Sequence, residues 1–239
     1  MGYTDIHTHI LPGVDDGSIS LEQSMLMLHK AFDEDIRRIY LTPHYIPGRR
    51  NASKEHRLTA FEELRAQALK ELPDLELYLG NEIYYRENAL SDLKAGEAFT
   101  MADTDYVLLE FDIHSDYKIL QKAVKQFTEA GYKPILAHIE RYRTFFSDRT
   151  MDRLLSSGIY IQSNAEFFLD KEKEKDAMDM LSSDRIHILG SDVHNTGQRR
   201  QRIGEAREKI RETLGEETME RILETSRFLL SGALSIDEI

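Results

Sequence analysis

The chain contains no cysteine in its 239 residues. A disulfide scaffold and a zinc–thiolate site are therefore excluded, and so is any reaction that uses a cysteine nucleophile. No apolar run approaches the ~20 residues that a helix needs to cross a bilayer. The N-terminus lacks the basic and apolar regions of a secretory signal peptide. These absences predict a cytoplasmic protein that is not inserted in a membrane.

Glycine-rich phosphate-binding loops are also absent, since the sequence has neither GxGxxG nor GxxxxGK followed by Ser or Thr. The formal net charge of −12 argues against nucleic acid as a partner, because phosphate backbones are held mainly by Lys and Arg. Hydrophobic residues make up 41% of the chain and charged residues 31%, which is typical of a globular protein. The length predicts a single domain over residues 1–239, with two small domains as the alternative.

Short β-rich runs alternate with longer amphipathic runs along the chain. The strand-like runs are 3–9, 38–44, 75–83, 106–111, 133–138, 158–165 and 185–194. The predicted helices are 20–35, 53–72, 117–131, 198–214 and 216–230. Strands that alternate with helices form mainly parallel sheets with right-handed crossovers. The sequence therefore predicts an α/β fold with a closed or nearly closed seven-stranded barrel; an open doubly wound sheet is the alternative.

Nearly every predicted strand ends in a residue type that binds metal ions. These residues are His7, His9, His44, Glu82, Glu110, His138, Asp192 and His194, and Asp16 lies in the loop after the first strand. In a parallel α/β barrel the carboxyl ends of the strands open onto one face. Residues far apart in sequence would then converge there into a metal site.

The ligand types narrow the choice of metal. Imidazole and carboxylate without thiolate suit Zn²⁺, Mn²⁺ or Fe²⁺. Five histidines and four carboxylates are too many for one ion, so we expect two or three ions that share a bridging carboxylate. Three divalent ions would leave a formal charge of about +2, which a phosphate dianion would neutralise.

Each of these residues also has an ordinary structural interpretation. A glutamate at a strand end is often solvated, and Asp16 could stabilise the turn in "PGVDDG". The metal hypothesis is favoured because the ordinary interpretation would have to hold independently at six strand ends. The remaining histidines lack this support: His29 and His56 are predicted to lie on helix surfaces and His187 to pack within a strand, and His114 is given only a small chance of reaching the site.

An ordered set of motifs resembles one known superfamily. The motifs are "DIHTHILPGVDDG", "TPHY", "GNEI", "LLEF", "AHIERY" and "GSDVHN", which together extend from Asp5 to about Arg200. They resemble the polymerase and histidinol phosphatase (PHP) superfamily. Within it the match is to the bacterial manganese-dependent tyrosine-protein phosphatases of capsule and exopolysaccharide operons. HxH alone would be a weak match, whereas the ordered set is highly specific.

The resemblance implies a distorted seven-stranded β/α barrel with three metal ions, Mn²⁺ in preference to Fe, Zn or Mg. One ion would be held by His7, His9 and Asp192. A second would be held by Glu110 and His138, with Glu82 as the bridge to the first. The third would be held by Asp16, His44 and His194.

The resemblance also implies that arginines hold the phosphate group of the substrate. Arg141, just past His138, and Arg199, shortly after His194, match the family's positions. Arg200 and Arg202 are close competitors for the second position. Arg49 and Arg50 are predicted to be solvated loop residues; the alternative is that they guide an acidic peptide.

The function implied is hydrolysis of phosphotyrosine by hydroxide generated at the metal ions, with the tyrosine-rich tail of a bacterial tyrosine autokinase as partner. Because the chain has no cysteine, it cannot form the phosphocysteine of the common tyrosine phosphatases. Two alternatives remain at this point: a histidinol-phosphate phosphatase on the same scaffold, and a metal-bound module that recognises phosphoproteins without cleaving them.

Overall fold

The structure, a computed structural model, describes residues 2–142 and 148–230. Nine strands and eight α-helices alternate through these residues. The strands are β1 Tyr3–Thr8, β2 Ile36–Leu41, β3 His44–Tyr45, β4 Glu76–Leu79, β5 Glu82–Tyr84, β6 Tyr106–Glu110, β7 Lys133–Leu136, β8 Tyr160–Asn164 and β9 Ile188–Gly190. The helices are α1 Leu21–Asp33, α2 Lys54–Glu71, α3 Ala89–Lys94, α4 Tyr117–Glu129, α5 Asp148–Leu155, α6 Glu174–Ser182, α7 Ile203–Leu214 and α8 Glu216–Leu230.

All the paired strands are parallel. One sheet has the order β1-β2-β4 and the other has the order β3-β5-β6-β7-β8-β9. The two sheets are continuous through the chain, because β3 follows β2 and β5 follows β4 after two residues each. The sheet curls until the segment after β9 lies beside β1, where the His9 N–H donates to Val193 O at 2.9 Å and the Asp192 N–H donates to His7 O at 2.8 Å.

The predicted α/β fold with a curled parallel sheet is confirmed. The count of seven strands stays a prediction, since two of the seven predicted runs are each divided into two strands. Pro43 lies in the first break, and proline has no N–H to donate to a ladder. Gly80 and Asn81 form the second break, where the Gly80 N–H donates to Leu41 O instead.

Two predicted boundaries were wrong. The run 185–194 was predicted as one strand, but β9 ends at Gly190, because Asp192 takes the left-handed conformation with a φ of 54°. The helix predicted from residue 198 begins only at Ile203. The side chain of Gln201 accepts hydrogen bonds from the N–H groups of Arg202 and Ile203, and these bonds fix the helix start there.

The helices pack one apolar face against the sheet. In α1 the hydroxyl of Ser20 accepts from the Gln23 N–H and caps the helix, as its sequence predicts. Met25 and Leu28 on this helix are buried in the core. On α2, Leu64 is buried, whereas Leu58, which shares its helical spacing, is 40% exposed. Of the helices in residues 2–142 and 148–230, none is long and apolar enough to cross a membrane.

A buried arginine braces the two strand breaks. Arg57 of α2 donates from Nη1 to Asn81 Oδ1 at 2.8 Å, and its guanidinium lies 4.6 Å from the ring centre of Phe99. Asn81 in turn donates from Nδ2 to Pro43 O at 2.7 Å. This brace holds β3 beside β5 in the register that pairs His44 with Glu82. Two predicted metal ligands are thereby set next to each other.

We expect Asn81→Ala to lower the free energy of unfolding by about 1–3 kcal/mol, because it removes the acceptor of Arg57 Nη1 and of the Phe99 N–H and one of the donors to the Pro43 carbonyl. Chemical denaturation of the metal-free protein measures the change. Asn88→Ala, at the exposed start of α3, is the control and should change stability by less than about 0.5 kcal/mol. Equal effects of the two substitutions would contradict the bracing role.

Candidate metal centre

All nine residues predicted to bind metal converge at the carboxyl ends of the strands. Their side chains form one connected cluster of imidazole nitrogens and carboxylate oxygens. The side chains form three groups, and within each group one ligand atom from every residue lies within 4.8 Å of the others. The groups are His9 with Asp16, His44 and His194; His7 with His9 and Glu82; and His44 with Glu82 and Glu110. The convergence follows from the parallel sheet, which brings strand ends from across the sequence to one edge.

Backbone geometry aims several of these side chains. His7 and His9 are two residues apart at the end of β1, so both point to one side of the sheet, and their ring centres are 5.4 Å apart. His138 and Asp192 follow β7 and β9 with φ values of 34° and 54°. These left-handed conformations cost of order 1–3 kcal/mol each and cluster at functional sites. The turn that each residue makes directs its side chain into the cluster.

Glu82 lies at the centre of the cluster and is fully buried. Its Oε1 is 2.7 Å from His138 Nε2, and its Oε2 is 2.8 Å from His44 Nδ1. The same Oε2 lies 3.3 Å from His9 Nε2 and 3.4 Å from His7 Nε2. Burial opposes ionisation of Glu82, but the surrounding imidazoles outweigh it and hold its pKa well below the usual value.

The donor set fits divalent cations. The Nε2 atoms of His7 and His9 face each other at 3.3 Å, while their Nδ1 atoms contact Gln162 Oε1 and Asp15 Oδ2. With both Nδ1 atoms donating to oxygen, two nitrogen lone pairs point at one space. His194 Nε2 is also buried and makes no hydrogen bond to the described residues. Such an orphaned atom is expected where a cation belongs.

Asp15 belongs to the hydrogen-bonded surroundings of the cluster, and the sequence analysis missed it because it selected the neighbouring Asp16. The carboxylate of Asp15 lies 2.7 Å from His9 Nδ1 and accepts from the His44 N–H at 3.0 Å and the Gly17 N–H at 3.0 Å. A carboxylate behind a ligand histidine fixes its tautomer and orientation. The paired aspartates of "VDDG" were the feature that could have indicated this division of roles.

Two amides on β8 were also missed. β8 is the predicted strand that ends in no metal-ligand residue type, yet Gln162 and Asn164 on it face the cluster. Gln162 contacts His7 and His138, and Asn164 donates from Nδ2 to Asp192 Oδ2 at 2.9 Å. Two amides at i and i+2 on a strand share a face, and this spacing was visible in "IQSN".

Two histidines of the cluster have raised pKa values in the metal-free protein. Burial would lower the pKa of His9, but Asp15 and Glu82 outweigh it and raise the pKa to about 10. Burial is likewise outweighed at His138, where Glu110 and Glu82 raise the pKa to about 9. His194 differs, since burial and the neighbouring His9 lower its pKa to about 4.

The two predicted arginines, Arg141 and Arg199, each bind a different oxygen of the Asp192 carboxylate. Arg141 contacts Asp192 Oδ2 through Nη2, and its Nη1 lies 3.3 Å from His138 Nε2. Arg199 donates from Nη2 to Asp192 Oδ1 at 2.9 Å. Its competitors pair with glutamates instead: Arg200 with Glu205, and Arg202 with Glu166 and Glu205. Of the three candidates, Arg199 is therefore the one beside the cluster.

The other polar residues considered from the sequence lie outside the cluster. His114, Arg49 and Arg50 are on exposed loops, and His56 is exposed on α2. His29 forms an exposed pair with Glu71. His187 packs, as expected, with its ring edge against Tyr160 and its Nδ1 accepting from the Ile161 N–H.

A cleft of about 470 Å³ opens beside the arginines. Arg141, Asp192 and Arg199 are among the residues that line it. Phe167 and Ile113 add apolar surface to its lining, and Ile113 is 54% exposed. The cleft therefore combines two arginines that contact the cluster with apolar side chains.

A family model described as "Capsular polysaccharide synthesis, CpsB/CapC" matches residues 3–228. The chain belongs to the CpsB/CapC family. It is 33% identical over 204 residues to the tyrosine-protein phosphatase CpsB of Streptococcus pneumoniae, an alignment that covers 82% of this chain and 84% of that protein. It is 28% identical over 231 residues to the tyrosine-protein phosphatase YwqE of Bacillus subtilis, covering 95% of this chain and 91% of YwqE.

A crystal structure from this CpsB/CapC family has the same fold. It comes from work on YwqE of Bacillus subtilis and CpsB of Streptococcus pneumoniae, described there as unique metal-dependent tyrosine phosphatases. The TM-score is 0.88 at 27% identity, and the match covers 95% of this chain and 94% of that one. The family resemblance inferred from the motifs is thus confirmed.

We expect Mn²⁺ to release protons when it is added to the metal-free protein near neutral pH. The raised pKa values of about 10 for His9 and about 9 for His138 keep both residues protonated below those values, and a ligand histidine must be neutral. Release should fade as the starting pH rises through that window. Titration of unbuffered protein in a pH-stat measures it, and tight binding without proton release near neutral pH would contradict the assignment.

Proposed function

We propose that this chain is a metal-dependent protein-tyrosine phosphatase. The observation that carries the proposal is the buried cluster of nine imidazole and carboxylate ligands with two arginines at its edge. Such a cluster is suited to phosphomonoesters, because divalent cations and guanidinium groups both bind phosphate oxygens. The named activities of CpsB and YwqE support phosphotyrosine as the substrate.

The nine residues would divide among three ions. His7, His9 and Asp192 would hold one ion, Glu110 and His138 would hold a second, and Glu82 would be shared by these two. Asp16, His44 and His194 would hold the third, and the close approach of these three side chains around His9 supports that group. Manganese is the proposed metal, as the resemblance to manganese-dependent tyrosine phosphatases implies, with Fe, Zn or Mg as alternatives. Imidazole and carboxylate donors without sulfur suit Mn²⁺ but also Zn²⁺ and Fe²⁺.

When bound, the ions supply an activated water nucleophile and positive charge for the phosphate oxygens. The chain's own part is to hold and orient the ester. Arg141 and Arg199 present guanidinium groups, which bind phosphate oxygens in a bidentate manner and stabilise charge as it develops. The apolar surface of Ile113 and Phe167 in the cleft is suited to an aromatic leaving group. A tyrosine leaves as a phenolate with a pKa near ~10 and needs little protonation.

The partner we propose is the phosphotyrosine tail of a bacterial tyrosine kinase that acts in polysaccharide synthesis. The family to which the chain belongs is named for capsular polysaccharide synthesis, which supports such a partner. We place the protein in the cytoplasm, as a single phosphatase domain over residues 1–239. Its barrel counts seven strands when β2 with β3 and β4 with β5 are each taken as one strand.

Purified protein loaded with Mn²⁺ should release phosphate from a tyrosine-phosphorylated peptide and much less from histidinol phosphate offered at the same concentration. A chelator should abolish release and added Mn²⁺ should restore it, whereas thiol alkylation should have no effect on a chain without cysteine. Preference for histidinol phosphate would indicate that the protein is a histidinol-phosphate phosphatase instead. Tight peptide binding without phosphate release would indicate a binding module instead.

Arg141→Ala should retain its bound metal but slow hydrolysis of the phosphopeptide by roughly 10²-fold, the scale of one lost charge-stabilising donor. Arg200→Ala is the matched control, because Arg200 lines the same cleft but pairs with Glu205. Steady-state rates and metal content are measured on the same preparations. Full activity of Arg141→Ala would remove this residue from the reaction.

A further inference from the structure

We propose that Gln162 and Asn164 form a relay of hydrogen bonds that positions the ligands of one metal ion. Both residues lie on β8 and are buried. The relay runs from the backbone N–H of His138 through Gln162 and Asn164 to Asp192. His7 joins it as a second contact of the Gln162 side-chain oxygen. The inference rests on the metal site proposed above, but it can fail while that site stands.

The first link fixes the state of His7. The backbone N–H of His138 donates to Gln162 Oε1 at 2.7 Å, and a backbone N–H can only donate. The oxygen end of the Gln162 amide therefore faces this side. His7 Nδ1 lies 3.2 Å from the same oxygen, so it must carry a proton to interact favourably. In neutral imidazole the other nitrogen is then the lone-pair donor, and His7 presents Nε2 to the cluster.

The second link fixes Asp192. Because Oε1 of Gln162 is committed, its amide nitrogen Nε2 donates to Asn164 Oδ1 at 2.9 Å. That contact orients the Asn164 amide in turn, so its Nδ2 donates to Asp192 Oδ2 at 2.9 Å. One backbone N–H thus sets the direction of every hydrogen bond from His138 to Asp192.

Packing keeps Gln162 in this position. Gly190 of β9 lies against it, and a Cβ atom there would be 2.8 Å from Gln162 Nε2 and 2.7 Å from His7 Cβ. Only glycine lets β9 approach this closely. The amide and the imidazole are confined between two strands, so they hold their geometry before any ion binds.

The relay touches the ligands of the three ions unequally. It contacts the side chains of His7 and Asp192, which are assigned to one ion. Of the second ion's ligands it bonds only the backbone of His138, and none of its bonds reaches Asp16, His44 or His194. A positioning role therefore predicts selective loss of one ion. A role in general stability would weaken all the ions together.

The test is Mn²⁺ binding to the metal-free full chain carrying Gln162→Leu, measured by titration against a competing chelator and by metal content after dialysis. We expect one class of sites to weaken by about 10–100-fold, the usual effect of removing a partner behind a metal ligand. The class formed by Asp16, His44 and His194 should keep its affinity. Asn164→Ala, at the other end of the relay, should weaken the same class through Asp192 alone, which keeps the test valid if Gln162→Leu fails to fold.

Gln201→Leu is the matched control. Gln201 is also a buried glutamine that accepts from two backbone N–H groups and donates to a carboxylate, that of Asp5. Its loss should lower the melting temperature without changing either class of sites. Equal weakening of all sites in Gln162→Leu and Asn164→Ala, or no weakening, would overturn the relay. Wild-type protein that binds no Mn²⁺ would instead overturn the proposed metal site.

Discussion

The buried carboxylate of Glu82 is the constraint on which the rest of the site depends. An ionised carboxylate without water is costly unless it is paired and hydrogen-bonded. Glu82 lies within 3.4 Å of nitrogens from His7, His9, His44 and His138. These histidines come from three different strand ends, because His7 and His9 share that of β1. The fold must bring those ends together to compensate the charge, and in doing so it builds a site for cations.

The irregular features of the sheet serve this arrangement. The breaks after β2 and β4 place His44 beside Glu82, and the brace from Arg57 through Asn81 to Pro43 holds them there. The left-handed backbone conformations of His138 and Asp192 cost free energy, and they direct these two side chains into the cluster. Regular strands continued through these points would send neighbouring side chains to alternate faces. Local strain and interruption are thus the means by which a parallel sheet becomes a concave cluster.

The sequence predicted that the nine candidate ligands lie together because eight of them stand at or near the end of a recognisable strand and Asp16 follows the first. Parallel topology then implied their convergence without any knowledge of distances. It did not reveal Asp15, Gln162 or Asn164, because these residues act on ligands through hydrogen bonds whose partners depend on three-dimensional packing. Nor could it choose among Arg199, Arg200 and Arg202, since the choice depends on which side chain pairs with a surface glutamate. The strand breaks at Pro43 and Gly80 were also beyond the pattern of hydrophobic residues.

The most direct test of the account is a crystal structure of the Mn²⁺-loaded protein with anomalous diffraction measured at the manganese absorption edge. The account predicts separate anomalous peaks enclosed by the nine side chains, with Glu82 between two of them and with Asp15, Gln162 and Asn164 bonded to ligands but not to metal. Peaks held by acidic residues outside this cluster, or a fully loaded protein with none inside it, would contradict the account.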